Sequence, residues 1–293
     1  MQPSKIIPCK NLLGESPIWN YARSSFMWVD IDGQLLYEYH LKSEILKSWS
    51  IDQKVSLVLE SGDTEVVLAL QDGLAKFDLT IGLMTWLLDV EKDNTQNRPN
   101  DGAVDARGRL WLGTMALDCK AGEGKLYCIE SDLSITVKIE KTTISNGIIW
   151  NADNTKMYFI DSATYVVKSY HFELETGNIA FEKDIIKIDP NVGMPDGMAL
   201  DEEGMLWIAV WGGKGIYRYN PTNGELLETA EVDAPNVTSC TFGGEKINQL
   251  FITTASIGLT AQEALDFPDS GNVFVFQTEV AGVSNKNRFY PKN

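Results

Sequence analysis

One sequence pattern recurs along the whole chain. Each copy starts with a polar residue, continues as a short apolar run, turns at Asp, Asn or Gly, and ends in a strand rich in aromatic residues. The copies follow one another at about 40–50 residues, the length that a four-stranded sheet needs in a repeat protein. The polar residues that begin the well-matched copies are Glu15, Asn100, Asn146, Asp196 and Ser239.

A less obvious copy at 54–70 fills the double interval between the first two of these residues, which makes six units. The strands are short, rich in β-branched and aromatic residues, and bounded by turn residues. The sequence therefore predicts an all-β fold, a six-bladed β-propeller with a central channel, as a single domain over residues 1–293. We expect segment 4–10 to pair with 271–277, because an open sheet edge would otherwise remain. The best helical periodicity lies at 261–267.

The charge of the chain restricts its partners. Lysine and arginine number 25 against 41 acidic residues, a net charge of −16. Phosphate backbones and anionic lipid surfaces would be repelled, so we expect neither nucleic acid nor membrane as a partner. The first residues contain no apolar leader, and no apolar run is long enough to span a bilayer. We therefore expect a cytoplasmic protein with no obligate protein partner.

The scarcity of histidine excludes several kinds of active site. His40 and His171 are the two histidines, and both lie in alternating strand patterns. Zinc sites rich in histidine and Ser-His-Asp relays need histidines beside suitable partners. The four cysteines form no C-x-x-C pair, which excludes the usual zinc clusters and redox motifs.

In a propeller, equivalent positions of the repeat face one channel. Glu15, Asn100, Asn146 and Asp196 would then converge, and their oxygen atoms suit a hard divalent cation. The alternative, which the repeat supports equally, is that they cap strand starts and bind water. Arg98 lies two residues before Asn100 and could hold an oxygen-rich ligand with its planar fork. Its spacing favours a different role, an ion pair with Asp101 or Asp105.

These residues also carry a resemblance to a known family. The motifs in order are GESPIW (14–19), RPNDG (98–102), ISNGIIW (144–150), PDGMALDEEGMLWIAV (195–210) and TSCTFGG (238–244). Together they resemble the SMP-30/gluconolactonase/luciferin-regenerating-enzyme (regucalcin-like) family over nearly the whole chain. The resemblance implies a six-bladed propeller with one divalent metal in its channel.

The resemblance also implies roles for individual residues. Glu15, Asn146 and Asp196 would be the metal ligands, and Asp196 would also accept and donate the proton. Arg98, Asn100 and Asp118 would bind the substrate. The family's vertebrate member has Glu where this chain has Asp118, so the side chain is one methylene shorter. Ca²⁺, Zn²⁺, Mn²⁺, Mg²⁺ and Fe²⁺ all remain open as the metal.

The implied activity is the opening of sugar lactones, of the gluconolactone or pentonolactone type, to aldonic acids. The implied partner is thus a small-molecule sugar lactone, and no covalent intermediate is expected, since no Ser or Cys stands beside a His base. Two alternatives stay open, because a fold does not determine a function. One is a hydrolase of other esters or of phosphotriesters on the same scaffold. The other is a non-enzymatic, calcium-binding propeller.

Overall fold

The computed structural model describes residues 3–284 and 286–292, and these are almost entirely β-structure. The strands are β1 Lys5–Ile7, β2 Gly14–Asn20, β3 Ser25–Asp30, β4 Leu35–His40, β5 Ile45–Ser50, β6 Val55–Glu60, β7 Glu65–Leu70, β8 Gly73–Asp78, β9 Met84–Asp89, β10 Asn97–Val104, β11 Leu110–Ala116, β12 Gly124–Ile129, β13 Ile135–Thr142, β14 Ser145–Trp150, β15 Lys156–Asp161, β16 Val166–Glu173, β17 Asn178–Lys187, β18 Met194–Leu200, β19 Leu206–Trp211, β20 Gly215–Tyr219, β21 Leu226–Glu231, β22 Asn236–Gly243, β23 Gln249–Ala255 and β24 Val273–Gln277.

The helical content of the described residues is small. A 3₁₀ turn covers Ser162–Thr164, and one α-helix, α1, covers Ala261–Asp266, where the sequence predicts it. Thr260 caps α1 by accepting from the backbone N–H of Glu263, and the Glu263 side chain accepts in return from the backbone N–H of Thr260. No helix in the described part of the chain has the length and apolar character that a membrane span requires.

Each of the six repeated segments forms the strand–turn–strand unit that its pattern predicts. The first strands of these hairpins, β2, β6, β10, β14, β18 and β22, contact one another in a closed ring and are called the innermost strands below. Four of the hairpins continue into separate four-stranded sheets, made of β2–β5, β6–β9, β10–β13 and β14–β17. The arrangement is that of a β-propeller.

The prediction of six blades is wrong. The structure has four separate four-stranded blades, and the other eight strands form one continuous sheet in the order β1-β24-β23-β22-β19-β20-β21, with β18 paired to β19. The two parts of this sheet are joined where Trp211, at the end of β19, pairs antiparallel with Asn236, at the start of β22. The repeat period records the hairpins but not this pairing, because a single contact between strand ends leaves no periodic pattern.

The first and last strands close the arrangement as the sequence predicts. In β1, Lys5 lies opposite Val275 and Ile7 lies opposite Val273 of β24, antiparallel. This pairing covers the edge that β24 would otherwise present to solvent.

The hydrophobic core lies between neighbouring sheets. One buried cluster combines Met27 and Leu36 of the first blade with Val58 and Leu68 of the second. Outermost strands such as β5 are mostly exposed. Because each sheet has two apolar faces that only its neighbours cover, the innermost strands are held in the ring on both sides.

Candidate active site

The same irregularity occurs near the start of every innermost strand. The pairing with the following strand shifts register there, which marks a β-bulge or similar distortion. A bulge redirects side chains that a regular strand would turn into the sheet packing, and bulges are frequent beside active sites. The shifts lie at Glu15/Ile18, Val55/Leu57, Pro99/Gly102, Ser145/Ile148, Pro195/Met198 and Val237/Ser239. The candidate residues Glu15, Asn100, Asn146 and Asp196 thus lie at or beside equivalent distortions.

The glycines of the Asn-Gly and Asp-Gly motifs allow the innermost strands to approach closely. A Cβ on Gly147 would lie 2.8 Å from the carbonyl oxygen of Asp196. A Cβ on Gly197 would collide with the side chain of Ser239. The strands that carry Asn146 and Asp196 therefore meet at their bulges, which brings the two side chains into one region.

A chain of hydrogen bonds joins four polar side chains, three on the innermost strands β10 and β14 and one in the 3₁₀ turn after β15. Nη1 of Arg98 donates to Oδ1 of Asn100 at 2.6 Å. Nδ2 of Asn100 donates to Oδ1 of Asn146 at 3.2 Å, and Nδ2 of Asn146 donates to Oγ of Ser162 at 2.8 Å. All four residues are buried. Each amide is thereby oriented, and the side-chain oxygen of Asn146 keeps one lone pair for a ligand.

Arg98 does not form the ion pair that its spacing favours. Its Nη1 also donates to the carbonyl oxygen of Pro99 at 2.9 Å. Asp105 instead accepts from Nε of Arg109 at 2.6 Å and from Nε1 of Trp111 at 2.9 Å. The guanidinium of Arg98 is therefore held by neutral oxygens, which leaves its charge to act on the carboxylates of the cluster.

Ser56 is a member of this network that the sequence reasoning missed. Its Oγ donates to the carbonyl oxygen of Pro99 at 2.7 Å and lies 3.5 Å from Nη1 of Arg98. It sits at the β6 bulge, the position equivalent to Asn100 in the less obvious repeat copy. Alignment of that copy was the signal that could have identified it.

Three carboxyl groups act on one another at the ends of these bulges. Burial raises the pKa of Asp196 well above its usual range, and repulsion from Glu15 and Asp101 raises it further. Burial likewise raises the pKa of Glu15, with a further contribution from Asp101. Arg98 opposes the shift at both Glu15 and Asp196. Oδ1 of Asp196 is buried and has no hydrogen-bond partner among the described residues.

Asp101 was not among the predicted site residues. Its position directly after Asn100 in the RPND motif suggested only a partner for Arg98. Burial raises its pKa too, and its Oδ1 accepts from the backbone N–H of Gly102 at 2.7 Å. Neither Asn100 nor Asp101 is paired with a residue of β11, because the register shifts between Pro99 and Gly102. Both side chains can then face the channel. In a regular strand, two adjacent side chains point to opposite faces, so the sequence pattern did not predict this.

Asp118 lies apart from the other predicted residues. It is exposed in the turn after β11, where its Oδ1 accepts from the backbone N–H of Lys120 at 3.1 Å. In the described part of the chain no hydrogen bond joins it to Arg98 or Asn100. Its role in substrate binding stays a prediction.

The donor atoms fit a hard divalent cation. No group of three or more His, Cys, Asp or Glu side chains within residues 3–284 and 286–292 is arranged to hold a metal ion. A cation here would therefore combine two carboxylates, Glu15 and Asp196, with the amide oxygen of Asn146. Such an all-oxygen set suits Ca²⁺, Mg²⁺ or Mn²⁺ better than Zn²⁺, which favours nitrogen and sulfur. The orphaned Oδ1 of Asp196 is the atom that a cation would satisfy.

Fold and motifs together define the class of this protein. The sequence matches the family described as SMP-30/Gluconolactonase/LRE-like region over residues 13–256. The chain belongs to this family.

Individual relatives cover nearly the whole chain. Regucalcin of Danio rerio is 34% identical over 272 residues, 92% of each chain. A protein of Bacillus subtilis named putative sugar lactone lactonase YvrE is 29% identical over 271 residues, 92% of this chain and 93% of its own. The crystal structure of a calcium-binding protein, regucalcin, from Agrobacterium tumefaciens superposes with a TM-score of 0.92 at 26% identity, over 99% of this chain and 98% of the other.

Proposed function

We propose that this protein is a divalent-cation-dependent lactonase that opens sugar lactones to aldonic acids. Membership of the family and the similarity to a relative named as a sugar lactone lactonase support hydrolysis of a lactone. The observation that carries the proposal is the buried, unpartnered Oδ1 of Asp196 beside the carboxyl of Glu15. Two such groups in an apolar protein interior are costly unless they bind a cation.

Glu15, Asn146 and Asp196 are the residues that would hold the cation. A divalent cation bound there supplies Lewis acidity, which polarises the carbonyl of an ester. Calcium agrees best with the oxygen donors, and the Agrobacterium relative is named as a calcium-binding protein. Asn100 holds the side chain of Asn146 in the orientation that presents its oxygen.

Arg98 and Asn100 are suited to binding the sugar. The described hydrogen bonds of Arg98 use Nη1, so Nε and Nη2 are the atoms that would meet ligand oxygens. A guanidinium fixed on one side by Asn100 and Pro99 loses little conformational freedom when it binds, which favours affinity and orientation. Asp118, in the exposed turn after β11, would reach a sugar hydroxyl only from outside this cluster.

Asp196 is the residue that would move the proton. Water adds to the lactone carbonyl carbon, the ring C–O bond breaks, and the ring oxygen gains a proton. The carboxylate of Asp196 accepts the proton from the water and returns one to the leaving ring oxygen. Without a bound cation, burial and then the neighbouring carboxyls raise its pKa. Arg98 and a bound cation act in the opposite direction and keep it ionised.

The proposal extends to the setting of the reaction. We place the site in a single domain over residues 1–293, in a cytoplasmic protein that acts alone on a small sugar lactone. The pairing of β1 with β24 supports the single domain, since the two ends of the chain share one sheet.

The test is proton release from a panel of aldonolactones. The protein is stripped with a chelator, and Ca²⁺, Mg²⁺, Mn²⁺, Zn²⁺ and Fe²⁺ are added back singly. We expect one cation to restore turnover, Asp196→Ala to lose it, and the exposed control Asp233→Asn to keep it. Stoichiometric cation binding without turnover on any lactone would contradict the lactonase. Turnover of phosphotriesters or simple esters, without turnover of any lactone, would identify the protein as a hydrolase of those substrates.

A further inference from the structure

A cavity lies in the channel next to the candidate active site. It has a volume of about 350 Å³ and is lined by residues of all six innermost strands. Most of these residues follow the bulges in sequence, whereas Ser16, Pro17 and Asp101 lie within them, next to Glu15 and Asn100. The distal cavity, as it is called below, therefore begins where the candidate active site ends. Its size lies at the lower end of the range for small-molecule sites.

The C-terminal segment covers the far end of the distal cavity. Val283, Ser284 and Asn287, which follow β24 in the chain, line the cavity. The backbone N–H of Val283 donates to the carbonyl oxygen of Leu200 at 2.9 Å, and Nδ2 of Asn287 donates to that of Val104 at 3.1 Å. Phe289 is fully buried against apolar residues such as Leu59. The cover is thus anchored at both sides of the opening.

The walls are mainly apolar, with charge at two places. Leu57, Ile148, Met198 and Phe242 are among the apolar side chains. Glu60 lies at the covered end, where Nη2 of Arg288 neutralises it at 2.5 Å.

Asp101 supplies the other charge. It lies at the inner end and keeps partial exposure although it is deep in the channel. Among the described residues it forms no ion pair, and its Oδ1 accepts a hydrogen bond from the backbone N–H of Gly102.

We propose that the distal cavity binds a small apolar primary amine, whose ammonium group pairs with Asp101 and whose hydrocarbon part packs against the apolar walls. The proposal concerns a site other than the one assigned to the lactone and does not depend on lactonase activity.

Charge complementarity selects the cation over other ligands. An anion entering the cavity would meet the carboxylate of Asp101, which repels it. A neutral molecule would remove water from Asp101 without compensating its charge. An ammonium group donates to the carboxylate and compensates the burial that raises the pKa of Asp101. The apolar walls then favour a hydrocarbon body.

Benzylamine and benzyl alcohol form a matched pair of probes, because they differ mainly in charge. Isothermal titration calorimetry on the full chain, loaded with Ca²⁺, measures both. We expect benzylamine to bind at least about tenfold more tightly than benzyl alcohol, which corresponds to one charge-assisted hydrogen bond. Equal affinities, or no heat from benzylamine, would overturn the proposal.

Two variants test the location. Asp101→Asn keeps the shape and removes the charge, so benzylamine should lose about tenfold in affinity while benzyl alcohol stays within about twofold. Ala103→Leu places a larger side chain on the wall and should weaken both probes by about tenfold. Asp233→Asn and Ala121→Leu, both exposed positions, are the controls and should change nothing.

A further experiment distinguishes binding in the distal cavity from binding in the candidate active site. Removal of Ca²⁺ with a chelator should not weaken the binding of benzylamine in the distal cavity, since Glu15, Asn146 and Asp196 do not line it. Benzylamine binding that Ca²⁺ abolishes would locate the amine at Glu15 and Asp196 and would overturn the proposal. Should Asp101→Asn fail to fold, Ala103→Leu tests the location of the site, because this substitution removes no polar group. Unchanged affinity of this variant for both probes would then overturn the proposal.

Discussion

Asn100 and Asn146 are 46 residues apart in the chain, one repeat unit, and their side chains touch: Nδ2 of the first donates to Oδ1 of the second at 3.2 Å. The same amide of Asn100 donates to the backbone carbonyl of Ser145 at 2.8 Å. Equivalent positions of neighbouring repeats thus hold each other in place. The candidate active site is built by this contact between repeats as much as by any single motif.

The first prediction concerns Arg98. Arg98→Lys removes the planar fork but retains the charge, and a lysine cannot keep both the contact to Asn100 and two contacts to a ligand. We expect KM for the best lactone to rise about tenfold while kcat changes less, because one charge-assisted contact is lost. Steady-state kinetics measures this. Arg107→Lys, an exposed arginine paired with Glu175, is the control and should match the unaltered protein. An unchanged KM in Arg98→Lys would remove Arg98 from the substrate site.

The second prediction is a pH dependence of stability without metal. Burial, with a contribution from Asp101, raises the pKa of Glu15 from 4.5 to about 8. Between these values the folded protein holds a proton that the unfolded chain has released, so the free energy of unfolding falls as the pH rises. Thermal unfolding of chelator-treated protein from pH 5 to pH 8 should show this decline. Added Ca²⁺ should stabilise the protein more at pH 8 than at pH 5, because ionised carboxylates bind it.

Glu15→Gln provides the comparison for this titration. The amide has nearly the same shape and does not titrate, so the decline with pH should become shallower. A decline of equal slope in the variant would show that other groups cause it.

The third prediction concerns the C-terminal segment. Phe289 is fully buried, and its backbone N–H donates to the carbonyl oxygen of Glu60. Phe289→Ala should cost about 3–5 kcal/mol of unfolding free energy, the usual range for a buried phenylalanine. Chemical denaturation measures it. The neighbouring Tyr290 is 52% exposed, so Tyr290→Ala should cost much less. Equal effects of the two substitutions would mean that the segment is not anchored through Phe289.

The fourth prediction concerns a buried hydrogen bond between an aspartate and a tryptophan that occurs in two of the repeats. Asp105 accepts from Trp111, and Asp201 accepts from Trp207 in the same way at 2.9 Å. Asp105 also pairs with Arg109, which is nearly inaccessible to solvent. Asp105→Ala leaves that guanidinium buried without a carboxylate, with only its hydrogen bond to the carbonyl oxygen of Leu174 among those of the described residues, and should cost about 3–5 kcal/mol. Denaturant unfolding compares it with the exposed turn variant Asp132→Ala, for which we expect a small change. A small effect in both would show that the arginine finds solvent.

The local structure followed from the sequence to a large extent. Alternation of apolar and polar residues predicted all six hairpins, such as β18 and β19 around the turn after Asp201. The prediction that the N-terminal strand pairs with β24 is confirmed, since edge closure is a general requirement. Repeat spacing also selected Asn100 and Asn146, which the structure places in contact.

Long-range pairings were decided only in the tertiary structure. The contact of Trp211 with Asn236 merges strands that the repeat predicted as separate blades. Arg98 donates to Asn100 and not to an acidic neighbour. Spacing in the sequence does not reveal this choice, because the cost of removing an ion pair from water depends on burial in the folded protein.

The electrostatics of the site also depend on long-range contacts. The periodicity of the sequence shows only which face of a strand a residue occupies, and this is a property of the local chain. The elevated pKa of Asp196 depends first on its burial and then on Glu15 and Asp101, which lie far away in sequence. Their repulsion exists only once the innermost strands meet and exclude water. The sequence alone therefore determined the hairpins and the candidate residues, whereas the folded ring decided which carboxyls share one buried region.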